Sequence, residues 1–292
     1  MKKIIQWMIV LIVIISLNNV FAQWYKGDMV DLEDWNHDID WPWRGAHPFV
    51  EVNYGYGIPK HKNIEADFAK FGSIGVKLGY SDTHNYRKHL YQVDDNYFLG
   101  TFSSDELNKI DEQDELSKIK TDMWRFGFGN RLGYGYELAL FSLLPYNQVQ
   151  FTFTKLEFTR DPSFSQSDID LFERYEGTYR FGVSTEGGVK FELFKSLAMI
   201  GSYEAAVVYP RVIFFKWFGS LILQTFTLGL ISRFAEDIVD SSPVMGPIMY
   251  AILRNGAGYG LYYAMRSNMY WPFKSEKPFT HEMFRLGVSI TF

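Results

Sequence analysis

Apolar and polar residues alternate with a period of two along much of this chain. From Tyr179 to Leu193 one face collects Tyr179, Phe181, Val183, Thr185, Gly187, Val189, Phe191 and Leu193, and the other collects Arg180, Gly182, Ser184, Glu186, Gly188, Lys190 and Glu192. The run far exceeds the usual globular strand of about 5–6 residues. Aromatic ends with smaller apolar residues between them, opposite a row of charge and glycine, suit a strand with lipid on one side and a polar lumen on the other. Trp124 to Leu138 repeats the pattern, with Asn130 alone breaking the apolar row. Shorter copies lie at Val50–Gly57 and Ser73–Tyr80, weaker ones at Gln148–Thr154 and Leu197–Val207, and Tyr97–Phe102 reads as one further strand.

The alternation fails from Pro210 to about Trp271, where the chain reads as apolar helix. Pro210 suits a first helical turn, and Lys216, Ser220, Gln224 and Thr227 form a narrow polar stripe on an otherwise apolar surface. Ser241-Ser242-Pro243 marks a break, and a second apolar stretch runs from Val244 to Leu253, ended by Arg254-Asn255-Gly256. Tyr259, Leu261, Tyr263 and Met265 fit one more strand as an alternative. The helices could plug a lumen, lie in the membrane interface or form a transmembrane hairpin. An exported hairpin of long apolar helices tends to be stopped at the inner membrane, and an eight-stranded barrel has room only for its own side chains. The expectation is therefore helices packed on or against the barrel end.

Composition sharpens this picture. Aromatic residues make up 18% of the 292 residues, yet the mean hydropathy of −0.14 is too low for a bundle of membrane helices. Averaging a lipid-facing aromatic row with a lumen-facing Arg, Glu and Gly row gives such a value. The absence of Cys excludes disulfide scaffolds, cysteine zinc sites and thiol catalysis, and a net charge of −5 argues against a nucleic-acid partner. Lys2 and Lys3, the apolar stretch Ile4–Ser16, and Val20 and Ala22 form the three parts of a cleaved signal peptide over residues 1–22. Residues 23–48 then form an acidic, Trp-rich arm, and residues 49–292 the barrel with its helical insertion at about 210–271.

The last nine residues place Phe284, Leu286, Val288, Ile290 and Phe292 on one face. With the leader and the strand pattern, this ending resembles the outer-membrane β-barrel proteins of Gram-negative bacteria. A soluble β-sandwich could also end in an alternating strand. The resemblance implies an all-β membrane barrel of about 8–10 antiparallel strands with a helical insertion before the last strand. It also implies an outer-membrane location, contact with outer-membrane lipid, and reading of the terminal row by the barrel-insertion machinery. Short turns such as Lys195-Ser196 then belong on the periplasmic side, and the segments Ser103–Lys120 and Arg160–Glu176 are exposed loops, with Ser104 and Glu106 starting a short helix.

The expected inward charges are Glu51, Lys77, Arg125, Arg131, Glu137, Arg180, Glu186, Lys190, Glu192, Glu204 and Arg285. Five acids against six bases show no bias of sign, which favours a salt-bridged interior over a selective pore. A hydrolase needs a nucleophile beside a base. The candidates are His281, Ser289, His84 and Ser184, with His89 nearby in sequence, and no local motif joins them. His37, Asp38 and Asp40, with Asp28, Asp31, Glu33 and Asp34, could gather a hard cation, but their spacing is not a calcium loop. No cofactor or metal is expected. The residues point to an envelope structural role, or a narrow transport or docking role for small or apolar compounds. The alternative is a lipid-acting hydrolase with a Ser/His pair on barrel strands.

Overall fold

The structure is a computed structural model that describes residues 46–64, 66–108, 118–138, 140–159, 165–194 and 196–292. The leader and nearly all of the Trp-rich arm, with its candidate cation ligands, lie outside the described residues. Eight strands, β1 (His47–His61), β2 (Phe71–Arg87), β3 (Leu90–Ser104), β4 (Lys120–Glu137), β5 (Ser142–Thr159), β6 (Arg180–Phe194), β7 (Leu197–Val208) and β8 (Phe279–Thr291), form the barrel. Each pairs antiparallel with its neighbour, and β1 closes on β8 with Val52 opposite Val288. The expected antiparallel barrel therefore holds at its lower strand count. Every strand but β6 is longer than the segment that announced it, and β6 matches its segment in length.

Both rims follow from chain length between strands. At the rim that carries Phe292, the terminal rim, the connections are short. Lys88 and His89 alone join β2 to β3, with His89 at a φ of 66°. At the opposite rim, the loop rim, the connections are long. One carries a 3₁₀ turn, Asp105–Leu107, whose N-cap Ser104 accepts a hydrogen bond from the Glu106 amide at 3.2 Å. Another carries helix α1 (Gln166–Glu173), capped by Ser165.

The connection from β7 to β8 holds two long helices, α2 (Phe214–Ser241) and α3 (Gly246–Met265). Pro210 precedes α2 by four residues instead of opening it. Every residue of the polar stripe of α2 has a partner: Thr227, like neighbouring Thr225, donates to a carbonyl one turn back and Gln224 donates to Ser220 Oγ at 2.8 Å, while Ser220 and Lys216 donate to the carbonyls of Trp271 and Lys274 beyond the helices. That is the arrangement apolar surroundings demand. Pro243 stops α2, and Pro247 sits in the first turn of α3. Gly246 lets the helices turn back closely, because a Cβ there would collide with the backbone of Val239.

Two expectations for this segment are corrected. Arg254-Asn255-Gly256 does not end the second helix, since each polar side chain has a partner. The guanidinium of Arg254 donates to Ser232 Oγ and Leu228 O on α2, and Asn255 Nδ2 donates to Tyr146 O at 3.0 Å. Tyr259, Leu261, Tyr263 and Met265 accordingly belong to α3 and not to a strand. The helices do not sit at the barrel end either. Tyr250 of α3 packs edge-on against Tyr134 of β4 at 4.8 Å, Asn255 meets Asn147 of β5, Gly258 meets Thr185 of β6, and Tyr259 meets Tyr203 of β7. All four barrel residues are on outward faces. The hairpin lies along the outer wall, from the loop rim down to Asp240, which accepts hydrogen bonds from Tyr86 and Arg87 near the terminal rim.

Candidate functional site: a filled lumen under an apolar cap

The inward faces of β1 to β8 build the interior. Its centre is a ring of paired charges. Arg131 binds Glu51 at 2.5 Å, Asp95 at 3.0 Å and Gln148 at 3.1 Å. Lys77 bridges Glu51 at 3.0 Å and Glu186 at 3.4 Å. Arg125 holds both oxygens of Glu204, at 2.6 and 3.0 Å, and Arg285 joins Glu204 at 2.5 Å to Glu186 at 3.5 Å. All eight side chains are buried, four acidic and four basic. Charges withdrawn from water cost several kcal/mol each unless paired and hydrogen-bonded, and this ring meets that condition.

Glycines on the inward faces seat aromatic rings. The Tyr97 ring lies over Gly129, the Tyr91 ring over Gly135, and the Tyr146 hydroxyl against Gly188, so an added Cβ at each glycine would strike the ring or its hydroxyl. Arg131 stands over the Tyr146 ring at 4.6 Å and Lys77 over the Tyr97 ring at 5.2 Å, which places cations against the electron-rich ring faces. Toward the terminal rim Tyr91, Val93, Leu144, Tyr146 and Ile200 form an apolar floor. At the loop rim Phe71, Phe158, Phe172, Tyr175, Phe279 and Met283 form a cap, with Phe68 packed on Phe279 at 5.8 Å. Tyr175 Oη accepts the Phe279 amide at 3.0 Å, and burial holds its phenol above the ordinary tyrosine range. The interior is thus layered: apolar, charged, apolar.

The polarity is inside out. Outward faces carry exposed Val52, Leu78, Phe126, Leu286 and Val288, while the interior carries the charge. The fold is a closed membrane-type β-barrel.

Comparison with solved structures finds distant matches. Neisserial surface protein A matches at 10% identity and a TM-score of 0.36, over 84% of this chain and 97% of that one. The attachment invasion locus protein Ail of Yersinia pestis matches at 9% and 0.33, over 85% and 99%. A major outer membrane protein from Thermus thermophilus matches at 13% and 0.26, over 84% and 99%. No protein-family model and no curated protein matches the chain. Likeness at this level transfers no residue role, and the barrel rests on its own strand pairing.

Most expected lumen charges are inside: Glu51, Lys77, Arg125, Arg131, Glu186, Lys190, Glu204 and Arg285 are buried. Three are rim residues instead. Glu137 is exposed at the end of β4, and Arg180 and Glu192 are half-buried near the ends of β6, where the interior opens at the rims. Asp95 was missing from the expected charges, while Gln148 and Gln150 lie inside on the polar face expected of their strand. Asp95 is an inward partner whose strand alternates weakly in sequence.

No hydrogen bond joins a candidate Ser to a candidate His among the described residues, although Ser184 and His281 lie in one row two strands apart. His281 and Ser289 share β8 but stand eight positions apart, about 27 Å at strand rise. His281 Nε2 lies 3.0 Å from Arg125, while Ser184 donates to Gln150 Oε1 at 3.2 Å. His84 is exposed on the outward face beside Asp82 at 3.1 Å, and His89 belongs to the β2–β3 turn. The terminal row Phe284, Leu286, Val288, Ile290 and Phe292 is exposed on the outer wall, and the Phe292 amide donates to Pro48 O at 2.9 Å.

Proposed function

We propose that this protein is an integral barrel of the outer membrane that does not conduct, and that it serves the envelope as a structural and docking protein through its outer wall and loop rim. The observation that carries this reading is the filled lumen, a neutral ring of buried ion pairs between an apolar floor and an apolar cap. A narrow transport path through the lumen would need that ring to open, at a cost of several kcal/mol for each charge left unpaired. The outer wall supports the docking part. α2 is long and apolar enough to cross a membrane, and its 28 residues span about 42 Å, against a hydrocarbon core of about 30 Å.

Outer-membrane lipid is the partner that the exposed apolar wall fits, and the exposed terminal row fits reading by the barrel-insertion machinery. A small apolar compound or an acyl chain fits the valley between the two helices. That groove of about 560 Å³ is lined by Leu230, Ile231, Phe234, Ile252, Leu253 and Gly256.

Planar-bilayer recording tests the central point. The full-length protein is expected to give no unitary current steps, and stable steps from folded, heat-modifiable protein would overturn the reading.

A further inference from the structure

Charge is distributed unevenly along the helical hairpin. Between Tyr209 and Lys277 the end at the loop rim carries Arg211, Lys216, Arg266, Lys274 and Lys277 against one acid, Glu276. The opposite end carries Glu236, Asp237 and Asp240 against Arg233. Glu282 of β8 pairs with Arg266 at 3.6 Å, and the remaining cations leave a local excess of positive charge at one level of the outer wall in a chain of net charge −5.

The same level carries an aromatic belt. Phe214 stacks on Phe218 at 5.8 Å, Phe215 is exposed, and Trp271 and Phe273 stand at the surface beside them, with the Phe273 ring against Gly219. Rings gathered in this way mark the boundary between hydrocarbon and headgroups. Three contacts fix the cations there. Lys216 Nζ donates to Lys274 O at 3.0 Å, Tyr270 Oη donates to Arg211 O, and Arg211 pairs with Glu276 at 2.5 Å. Arg174 of the α1 loop reaches the same carboxylate at 3.7 Å. The Arg211 and Arg174 side chains remain about 60% exposed, so a single shared carboxylate in water neutralises them little. Ile213, the N-cap of α2, offers no side-chain acceptor to the first turn between them.

We infer that this end of the hairpin seats a phosphorylated lipid headgroup of the surrounding leaflet, held by Arg211, Lys216 and Lys274 while the aromatic belt packs on its acyl chains. The inference rests on the bilayer reading above. It deepens that reading by naming the chemistry of the docking surface. Guanidinium and ammonium groups at headgroup level meet a phosphate with charge-assisted hydrogen bonds, and each cation near a membrane surface contributes about 1 kcal/mol, a factor of about five.

The experiment uses the full chain. Insertion into phosphatidylcholine nanodiscs is measured first, and protein that fails to insert sinks the bilayer reading itself. Inserted protein is then released into detergent and titrated with phosphatidic acid or phosphatidylcholine under native mass spectrometry. Wild type is expected to prefer phosphatidic acid, and R211Q/K216Q/K274Q to lose that binding on the order of 100-fold. K120Q/K155Q, which removes loop-rim lysines elsewhere on the barrel, should stay within about twofold, and E276Q should bind several-fold more tightly. If the triple variant fails the heat-modifiability check, the single variants R211Q and K216Q carry the test at about fivefold each. Equal binding of the two lipids, an unchanged triple variant, or displacement of the lipid by millimolar inorganic phosphate would overturn the headgroup seat.

Discussion

The barrel has two outer walls, and they differ in what lies against them. On β8, β1 and β2 the outward residues are large, apolar and bare, with Leu286 at 74% exposure and Leu78 at 52%. On β4 to β7 the outward rows contain Tyr134, Asn147, Thr185, Gly187 and Ala205, and helix α3 lies over them. Asn147 is buried there, donating to Asn255 Oδ1 at 2.8 Å. The bare wall needs only hydrophobicity, since lipid adapts to any shape. The covered wall needs shape and hydrogen bonds, since a helix does not adapt. An apolar row that turns small and polar part-way along therefore records a protein neighbour.

The contrast can be broken in graded ways, with the lumen as the yardstick for both walls. Arg131→Met should cost most, about 3–5 kcal/mol, because it leaves Asp95 without a buried cation and Glu51 with Lys77 alone. Urea unfolding from lipid vesicles measures it, and an unchanged midpoint would mean that the ion ring does not hold the barrel. Leu286→Arg, on the bare wall, should cost about 2–4 kcal/mol in the same assay if it sits near mid-bilayer. Asn255→Leu should cost about 1–3 kcal/mol because Asn147 keeps a buried amide without that partner. The double variant N147L/N255L should recover much of that loss, and a strictly additive double would show that the two amides do not interact. Gly100→Ala, on the outward face of β3 beside the bare wall, is the smallest test. Nothing lies within 4 Å of the added methyl, so the midpoint should move by no more than about 0.5 kcal/mol.

How much of this was legible depends on which wall is read. The strands of the bare wall and the ends of β4 and β6 show a period of two because one solvent covers each face. The lumen charges were legible for the same reason: inward Glu51, Lys77 and Arg285 alternate with lipid-facing apolar residues. Asp95 escaped notice because the lower half of β3 carries Asp94 and Asn96 outward as well, and polar residues on both faces leave no alternation to read. The position of the helices escaped for a different reason. Their apolar character is local, but the face they cover is announced by Asn147, Thr185 and Gly187, some 70 to 110 residues earlier in the chain. Thr185 and Gly187 looked like ordinary members of an apolar row. Their small size is what admits Gly258 and Asn255. The floor and cap were illegible because they are assembled from loops and strand ends far apart in sequence, such as Phe68, Phe172 and Phe279.

The packing of the hairpin on the outer wall is open to one direct measurement. The chain contains no Cys, so an engineered pair has no background. A Cβ at Gly258 would lie 3.3 Å from the Cβ of Thr185, within reach of the mean disulfide separation of about 3.8 Å. Oxidation of T185C/G258C in intact membranes should therefore form the crosslink in nearly all molecules, whereas S184C/G258C, with its first cysteine on the lumen face, should form none. Crosslinking of the lumen pair in place of the outer-wall pair would contradict the account.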